Sequence, residues 1–147
     1  MREKIEKDMK EALRRGEKDR VSTLRLILSS VKNKEKEKGR ALSDDEITDV
    51  LMREAKQRRE SIEEFRKSGR QDLLEKEERE LSIIMEYLPP QMSREEIEEL
   101  ARRVIEEVGA KGPSDKGKVM GRLMPMVRGR AEGRVVSEVV SDILSKI

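Results

Sequence analysis

The sequence predicts an all-α protein in two parts, with about four helices joined by a Pro-Pro linker to a small three-helix bundle. Apolar residues recur three and four positions apart throughout the chain, as they do on one face of a helix. Residues that begin and end helices separate these runs. No pair of alternating runs around a tight turn indicates a β-hairpin. We expect domains at residues 1–88 and 93–147.

Four helices are predicted in the N-terminal part. The first ends at Gly16, and the second runs between Asp19, its expected cap, and Gly39. Ser43-Asp-Asp-Glu46 is a capping box for the third helix, since the serine oxygen and the glutamate carboxylate can each accept a backbone N–H. This helix is expected to reach Ser68, and a fourth spans about residues 72–87.

The break between the two parts is predicted at Pro89-Pro90, because neither proline can continue a helix. A second capping box, Ser93-Arg-Glu-Glu96, opens the fifth helix. A short sixth helix begins near residues 112–114, and a turn over 129–133 follows it. In the seventh helix the valine pairs recur four positions apart, which favours a helix over a strand.

Composition excludes whole classes of chemistry. The chain contains no His and no Cys, so it can form no disulfide, thiol nucleophile, Cys/His zinc site or imidazole base. Acidic pairs are frequent, and nothing singles out one as a catalytic pair. Residues 112–119 resemble a phosphate-binding loop but lack its hydroxyl residue and its preceding strand. We expect no catalytic residue, no metal site and no cofactor.

The charge balance sets expectations about location and partners. The formal net charge is only +2 although 45% of the residues are charged, so any attraction to a polyanion must be local. No apolar run approaches the roughly 20 residues of a membrane span, and a charged N-terminus indicates a cytoplasmic protein without a membrane partner. Scarce Asn and Gln beside abundant Lys, Arg and Glu are typical of proteins that work at high temperature.

Charge of one sign is concentrated in residues 111–134, here called the basic segment. Seven Lys and Arg against two acids give it a net charge of +5, which leaves −3 for the rest of the chain. Interspersed glycines let a backbone approach a phosphate closely. The candidate RNA-binding residues are Lys116, Lys118, Arg122, Arg128, Arg130 and Arg134, and the candidates for close backbone approach are Gly117, Gly121, Gly129 and Gly133.

Two interpretations of the basic segment stay open. It is either a surface for the phosphate backbone of structured RNA or a solvated basic face beside turns that need glycine. Base stacking is not expected, because the two aromatic residues, Phe65 and Tyr87, lie outside the segment. Backbone binding would weaken with salt, with a log–log slope of about −3 to −5.

The same segment carries a resemblance. The run Asp115-Lys-Gly-Lys-Val-Met-Gly-Arg-Leu-Met-Pro-Met-Val-Arg-Gly-Arg-Ala-Glu-Gly-Arg-Val-Val resembles the signature of the YqeY (GatB/YqeY) family. It is also similar to the tail domain of the B subunit of the tRNA-dependent amidotransferase. Four shorter pieces agree in order and spacing over essentially the whole chain: Asp8-Met-Lys-Glu-Ala, Thr23-Leu-Arg-Leu-Ile, Lys56-Gln-Arg-Arg-Glu-Ser and Glu86-Tyr-Leu-Pro-Pro-Gln.

The resemblance implies a two-part helical fold and a non-catalytic role. In the amidotransferase the tail domain helps to hold the substrate tRNA, while the glutaminase and transamidase chemistry lies elsewhere. A label of carbon–nitrogen ligase with glutamine as amido-nitrogen donor would therefore belong to the relative. Pro125 stands where the amidotransferase tail often has another residue. The positions that match the motif are Lys116, Gly117, Lys118, Gly121, Arg128, Gly129, Arg130, Ala131 and Arg134.

Two of three hypotheses of function are non-catalytic. The first is a module that binds tRNA or another structured RNA through the basic segment. The alternative is a protein-interaction adaptor linked to tRNA aminoacylation or amidation, which would dock through apolar grooves. The third is an enzyme that acts on amides with glutamine as nitrogen donor, which needs a nucleophile and a base in a chain without His or Cys. The sequence leaves the oligomeric state open.

Overall fold

The computed structural model describes residues 1–147, and it contains seven α-helices and no strand. A short 3₁₀ turn, Pro113–Asp115, precedes the sixth helix. None of the helices is both long enough and apolar enough to cross a membrane. The all-α class predicted from periodicity is confirmed. The helices are α1 (Arg2–Arg15), α2 (Lys18–Lys38), α3 (Asp44–Ser68), α4 (Gln71–Met85), α5 (Arg94–Val108), α6 (Lys116–Val127) and α7 (Gly133–Ser145).

Local sequence signals place several of the helix ends. Both predicted capping boxes form: the Ser43 hydroxyl accepts the Glu46 N–H at 3.2 Å, the Glu46 carboxylate accepts the Ser43 N–H at 3.0 Å, and the box that opens α5 repeats the pattern. The predicted cap at Asp19 is wrong, because the N-cap of α2 is Glu17. Asp19 lies in the first turn of α2 and pairs with Arg79 at 3.0 Å.

The end of α4 lies at Met85, two residues before the predicted end. The chain then tightens, since the Glu86 and Tyr87 N–H groups bond carbonyls three residues back, at 3.2 and 3.0 Å. Such tightening is a common way to satisfy the last carbonyls of a helix. It also turns the Tyr87 side chain into the interior, where only 9% of the residue is exposed.

The chain divides into two compact units, Met1–Pro89 and Pro90–Ile147, and the division falls between the two prolines of the predicted linker. In the first unit α1 packs on α2 and α3 packs on α4, while α2 contacts α3 and α4 as well. Its core consists of the buried faces of all four helices and the turn after α4: Ile5, Leu24, Ile27, Val31, Ile47, Leu51, Ala55, Ile83, Ile84, Tyr87 and Leu88.

In the second unit α5, α6 and α7 pack against one another around a separate core. That core is aliphatic: Ile97, Ala101, Val104, Ile105, Val119, Leu123, Val127, Ala131, Val136, Val139, Val140 and Leu144. Irregular backbone before α5 is tied to the loop between α6 and α7. The Met92 N–H donates to the Arg130 carbonyl, and the Gln91 side chain donates to the Gly129 carbonyl, each at 2.8 Å.

Candidate nucleic-acid interface

The basic segment is distributed over four pieces of the second unit. It covers the end of the α5–α6 connection, all of α6, the loop at 128–132 and the first two residues of α7. On α6 the residues Val119, Leu123 and Val127 are fully buried and fix the face that points to the core. Lys118 and Arg122 lie four residues apart and are exposed, so they share the solvent side of this helix.

Two of the candidate arginines form exposed ion pairs. Arg122 Nη2 lies 3.2 Å from Glu107 of α5, and Arg134 Nε lies 3.6 Å from Glu138 one turn along α7. The four side chains retain between 44% and 70% of their exposure. Exposed pairs of this kind contribute only about 0–1 kcal/mol, so either arginine can exchange its carboxylate for a phosphate.

Two lysines of the basic segment have side chains without a polar contact in the chain. Lys118 is exposed, Lys116 is half-buried at the first position of α6, and neither side chain has a hydrogen-bond or ion-pair partner within the chain. One of the two acids in the segment is occupied, because the Asp115 carboxylate accepts the Lys111 backbone N–H at 2.8 Å. Neither lysine is therefore held in an ion pair with an acid of its own segment.

Arg130 has an internal role. Its Nε donates to the Pro90 carbonyl at 3.1 Å, while its backbone N–H bonds the Val127 carbonyl at 2.8 Å. Its charge also lowers the pKa of Glu96, after the larger effect of hydrogen bonds from Ser93. Arg130 therefore fastens the loop after α6 to the start of the unit. Arg128, two residues before it, is exposed.

The four candidate glycines differ in their surroundings. Gly129 is buried and has φ of 77°, so the turn itself needs a glycine there. Gly133 opens α7, and a Cβ at this position would lie 3.5 Å from the Met124 methyl, an ordinary contact. Gly117 and Gly121 are exposed on α6, with no atom within 4 Å of the Cβ position.

The first unit contains a polar cavity of about 340 Å³ that the sequence did not predict. The Tyr87 hydroxyl donates to Asp8 at 2.5 Å, and the Lys4 ammonium lies 5.6 Å from the centre of the Tyr87 ring. Burial first, and then the bond to Asp8, raise the pKa of Tyr87. Two of the motifs quoted above meet here, but only the fold brings their residues together. Arg20, at the rim, pairs with Glu86 at 2.6 Å.

A buried ionic network between α2, α3 and α4 was also not predicted from the sequence. Arg58 pairs with Glu54 on its own helix and with Glu80 of α4, the latter at 3.3 Å. The Ser30 hydroxyl donates to Glu54 at 3.1 Å. Arg58 and Glu54 occupy positions that the helical period assigns to the apolar face of α3, and this was the available signal. No three His, Cys, Asp or Glu side chains converge as a metal site.

The fold and this surface define a two-unit helical protein whose second unit presents cations on α6. A sequence profile described as Yqey-like protein matches residues 2–144. The chain therefore belongs to the YqeY family, which confirms the resemblance drawn from its motifs.

Curated relatives extend the comparison. The chain is 32% identical over 130 residues to Altered inheritance of mitochondria protein 41, mitochondrial, from Pyrenophora tritici-repentis, covering 87% of this chain and 71% of the relative. The protein of that name from Lachancea thermotolerans is 37% identical over 113 residues, covering 75% and 60%. The protein of that name from Kluyveromyces lactis is 34% identical over 113 residues, covering 75% of this chain and 61% of the relative. The chain thus spans less than two thirds of the length of two of these three relatives.

These names correct one prediction. The sequence indicated a cytoplasmic protein, whereas the relatives are named as mitochondrial proteins, so the cytoplasmic prediction is wrong. The prediction failed for a physical reason. A highly charged helical surface suits any aqueous compartment, and composition does not distinguish one such compartment from another.

Proposed function

We propose that the chain is a non-catalytic module that binds tRNA or another structured RNA through the phosphate backbone. The observation that carries the proposal is the solvent face of α6, where Lys118 and Arg122 lie one turn apart. Arg134, at the start of α7, also has an exposed side chain. Cations that reach phosphates release counterions and so bind RNA without reading its sequence.

The composition supports binding by charge alone. Neither aromatic residue belongs to the second unit, so the unit offers no ring on which a base could stack. The charge of +5 over residues 111–134 suits a polyanion, and the remainder of the chain is net acidic. The surface is therefore expected to recognise backbone shape and to bind weakly at physiological salt.

The test is fluorescence anisotropy with unfractionated tRNA at several salt concentrations. The test variant is Lys118→Gln with Arg122→Gln. The matched control is Arg102→Gln with Lys146→Gln, which removes the same charge from exposed positions of the same unit. We expect the test variant to bind more weakly and its log–log salt slope to shrink by about 1–2, since each lost phosphate contact removes about 0.7–0.9. Equal effects in both variants, or no binding by the native protein at low salt, would count against the proposal.

A second candidate function is a protein-interaction adaptor. A groove of about 300 Å³ lies between α2 and α3 in the first unit. Two of the four amide side chains of the whole sequence, Asn33 and Gln57, line it beside Leu42 and Val50. Amides beside apolar side chains can bind a peptide backbone and its side chains together.

The adaptor is tested by capture of partners from a lysate treated with nuclease. We expect Asn33→Ala with Gln57→Ala to lose a captured protein that the control Gln71→Ala retains, because Gln71 lies on α4 outside the groove. Partners that disappear after nuclease treatment would favour the RNA-binding function instead.

A further inference from the structure

Helix α6 contains a proline at an interior position. Pro125 lies two residues before the last residue of the helix. Because proline has no backbone N–H, it cannot donate to the carbonyl four residues earlier. That carbonyl belongs to Gly121, which therefore lacks the usual helical hydrogen bond. Gly121 is an exposed residue on the solvent side of α6.

The packing of the second unit does not explain why α6 has glycine at Gly117 and Gly121. A Cβ added at Gly117 or Gly121 would meet no atom within 4 Å. Alanine at either position would therefore fit, and it would stabilise an exposed helix relative to glycine. Proline in a helix interior is more unfavourable still. Gly117, Gly121 and Pro125 thus recur four positions apart on one face of α6. All three weaken the helix, and the two glycines have no side chain to cover its backbone.

The freed carbonyl is also unusual in its chemistry. Helix α6 contains no Asp, Glu, Asn, Gln, Ser or Thr, so its side chains offer no hydrogen-bond acceptor of ordinary strength. Lys118 and Arg122 directly follow the two glycines and place positive charge beside them. A ligand here meets cations for its anionic groups and, at Gly121, a backbone acceptor for a hydroxyl donor.

RNA backbone carries both groups. Its phosphates are anionic, and its 2′-hydroxyl is the donor that distinguishes RNA from DNA. We propose that the Gly121 carbonyl accepts a hydrogen bond from a ribose 2′-hydroxyl while Lys118 and Arg122 bind phosphates, so that α6 selects RNA over DNA. This inference rests on the proposed function and adds the group that makes the selection.

The decisive variant is Pro125→Ala, which supplies the missing N–H and closes the Gly121 carbonyl within the helix. The matched control is Pro113→Ala, because Pro113 begins the 3₁₀ turn, where its N–H would have no helical partner anyway. The probes are a short RNA hairpin, the DNA hairpin of the same sequence and the 2′-O-methyl RNA hairpin, which has the ribose but no 2′-hydroxyl donor.

We expect native protein and Pro113→Ala to bind the RNA hairpin about two- to tenfold more tightly than the 2′-O-methyl hairpin or the DNA hairpin, neither of which has a 2′-hydroxyl donor, as one hydrogen bond allows. Pro125→Ala should lose this preference, keep the native salt slope and melt at a higher temperature. An unchanged preference in Pro125→Ala, or no preference in the native protein, would overturn the inference while RNA binding itself stands. Absence of binding to every probe would instead refute the proposed function, and the inference with it.

Discussion

The Tyr87 hydroxyl donates a hydrogen bond to the Asp8 carboxylate at 2.5 Å and so joins residues 79 positions apart. Tyr87 follows the end of α4, and Asp8 lies in the middle of α1. The bond therefore fixes the C-terminal end of the first unit to its first helix. It is a long-range polar contact at the edge of a core that is otherwise aliphatic.

We predict that Tyr87→Phe lowers the free energy of unfolding of the first unit by about 1–3 kcal/mol, the usual effect of losing a hydrogen bond to a charged group. Urea denaturation followed by circular dichroism measures this loss. Ser22→Ala, at an exposed position of α2, is a suitable control and should change stability little. A loss no larger than that of the control would show that the hydrogen bond between Tyr87 and Asp8 does not contribute to the free energy of unfolding.

The same bond predicts a pH dependence. The folded protein holds the pKa of Tyr87 above its ordinary value of about 10, first through burial and then through Asp8. A group whose pKa is raised by folding contributes stability that is complete below the unfolded pKa and is lost as pH rises through the folded pKa. The stability difference between native protein and Tyr87→Phe should therefore shrink above about pH 10. A difference that stays constant up to the alkaline limit of folding would contradict this assignment.

The capping box of α3 predicts the opposite pH dependence. Arg40 first, and then Lys38 and the Ser43 N–H, hold the pKa of Glu46 well below its usual range. Folding that depresses the pKa of a carboxyl adds stability above the unfolded pKa, and this stability is lost as pH falls through the folded pKa. Native protein should melt at a higher temperature than Glu46→Gln near neutral pH, and the two melting temperatures should converge in acid. Parallel curves down to the acid limit would exclude this contribution.

The buried pair Glu54–Arg58 is predicted to matter more than any exposed pair. Arg58→Ala leaves two carboxylates without their cation in the interior, and loss of one partner of a buried pair is destabilising by about 3–5 kcal/mol. Arg66→Ala is the matched control, because Arg66 pairs with Glu63 in an exposed pair on the same helix and should change stability by about 0–1 kcal/mol. Equal effects in the two variants would show that water reaches the Glu54 site.

Sequence reasoning predicted the helices well because the signals that set them are local. The capping boxes at Ser43 and Ser93 act within four residues, and the apolar period repeats within two turns. The cap at Asp19 failed because an acidic residue near a helix start is favourable in the first turn as well as at the N-cap. Glu17 is the N-cap without a side-chain cap bond, and Asp19 lies in the first turn, where it pairs with Arg79.

The candidate site was less predictable than the fold. The charge of residues 111–134 is visible in the sequence, but the sequence does not show which of these cations face solvent and which bond to the chain itself. Arg122 and Arg130 look equivalent in the sequence, yet Arg122 stands on an exposed face and Arg130 donates to the Pro90 carbonyl. Their difference depends on contacts between segments that lie 40 residues apart, which no local pattern encodes.

This difference leads to a last prediction, which separates structural from binding arginines. Arg130→Gln removes the Nε donor to Pro90 and should lower the melting temperature of the second unit without altering the salt slope of tRNA binding. Arg134→Gln removes only an exposed pair with Glu138, so it should leave stability nearly unchanged and reduce the salt slope by about 0.7–0.9. Thermal denaturation and salt titration of the two variants give four measurements. A reduced slope in Arg130→Gln would show that the guanidinium of Arg130 also reaches phosphate. This is chemically possible because a guanidinium has several N–H donors, so Nε can bind the Pro90 carbonyl while the terminal nitrogens bind a phosphate.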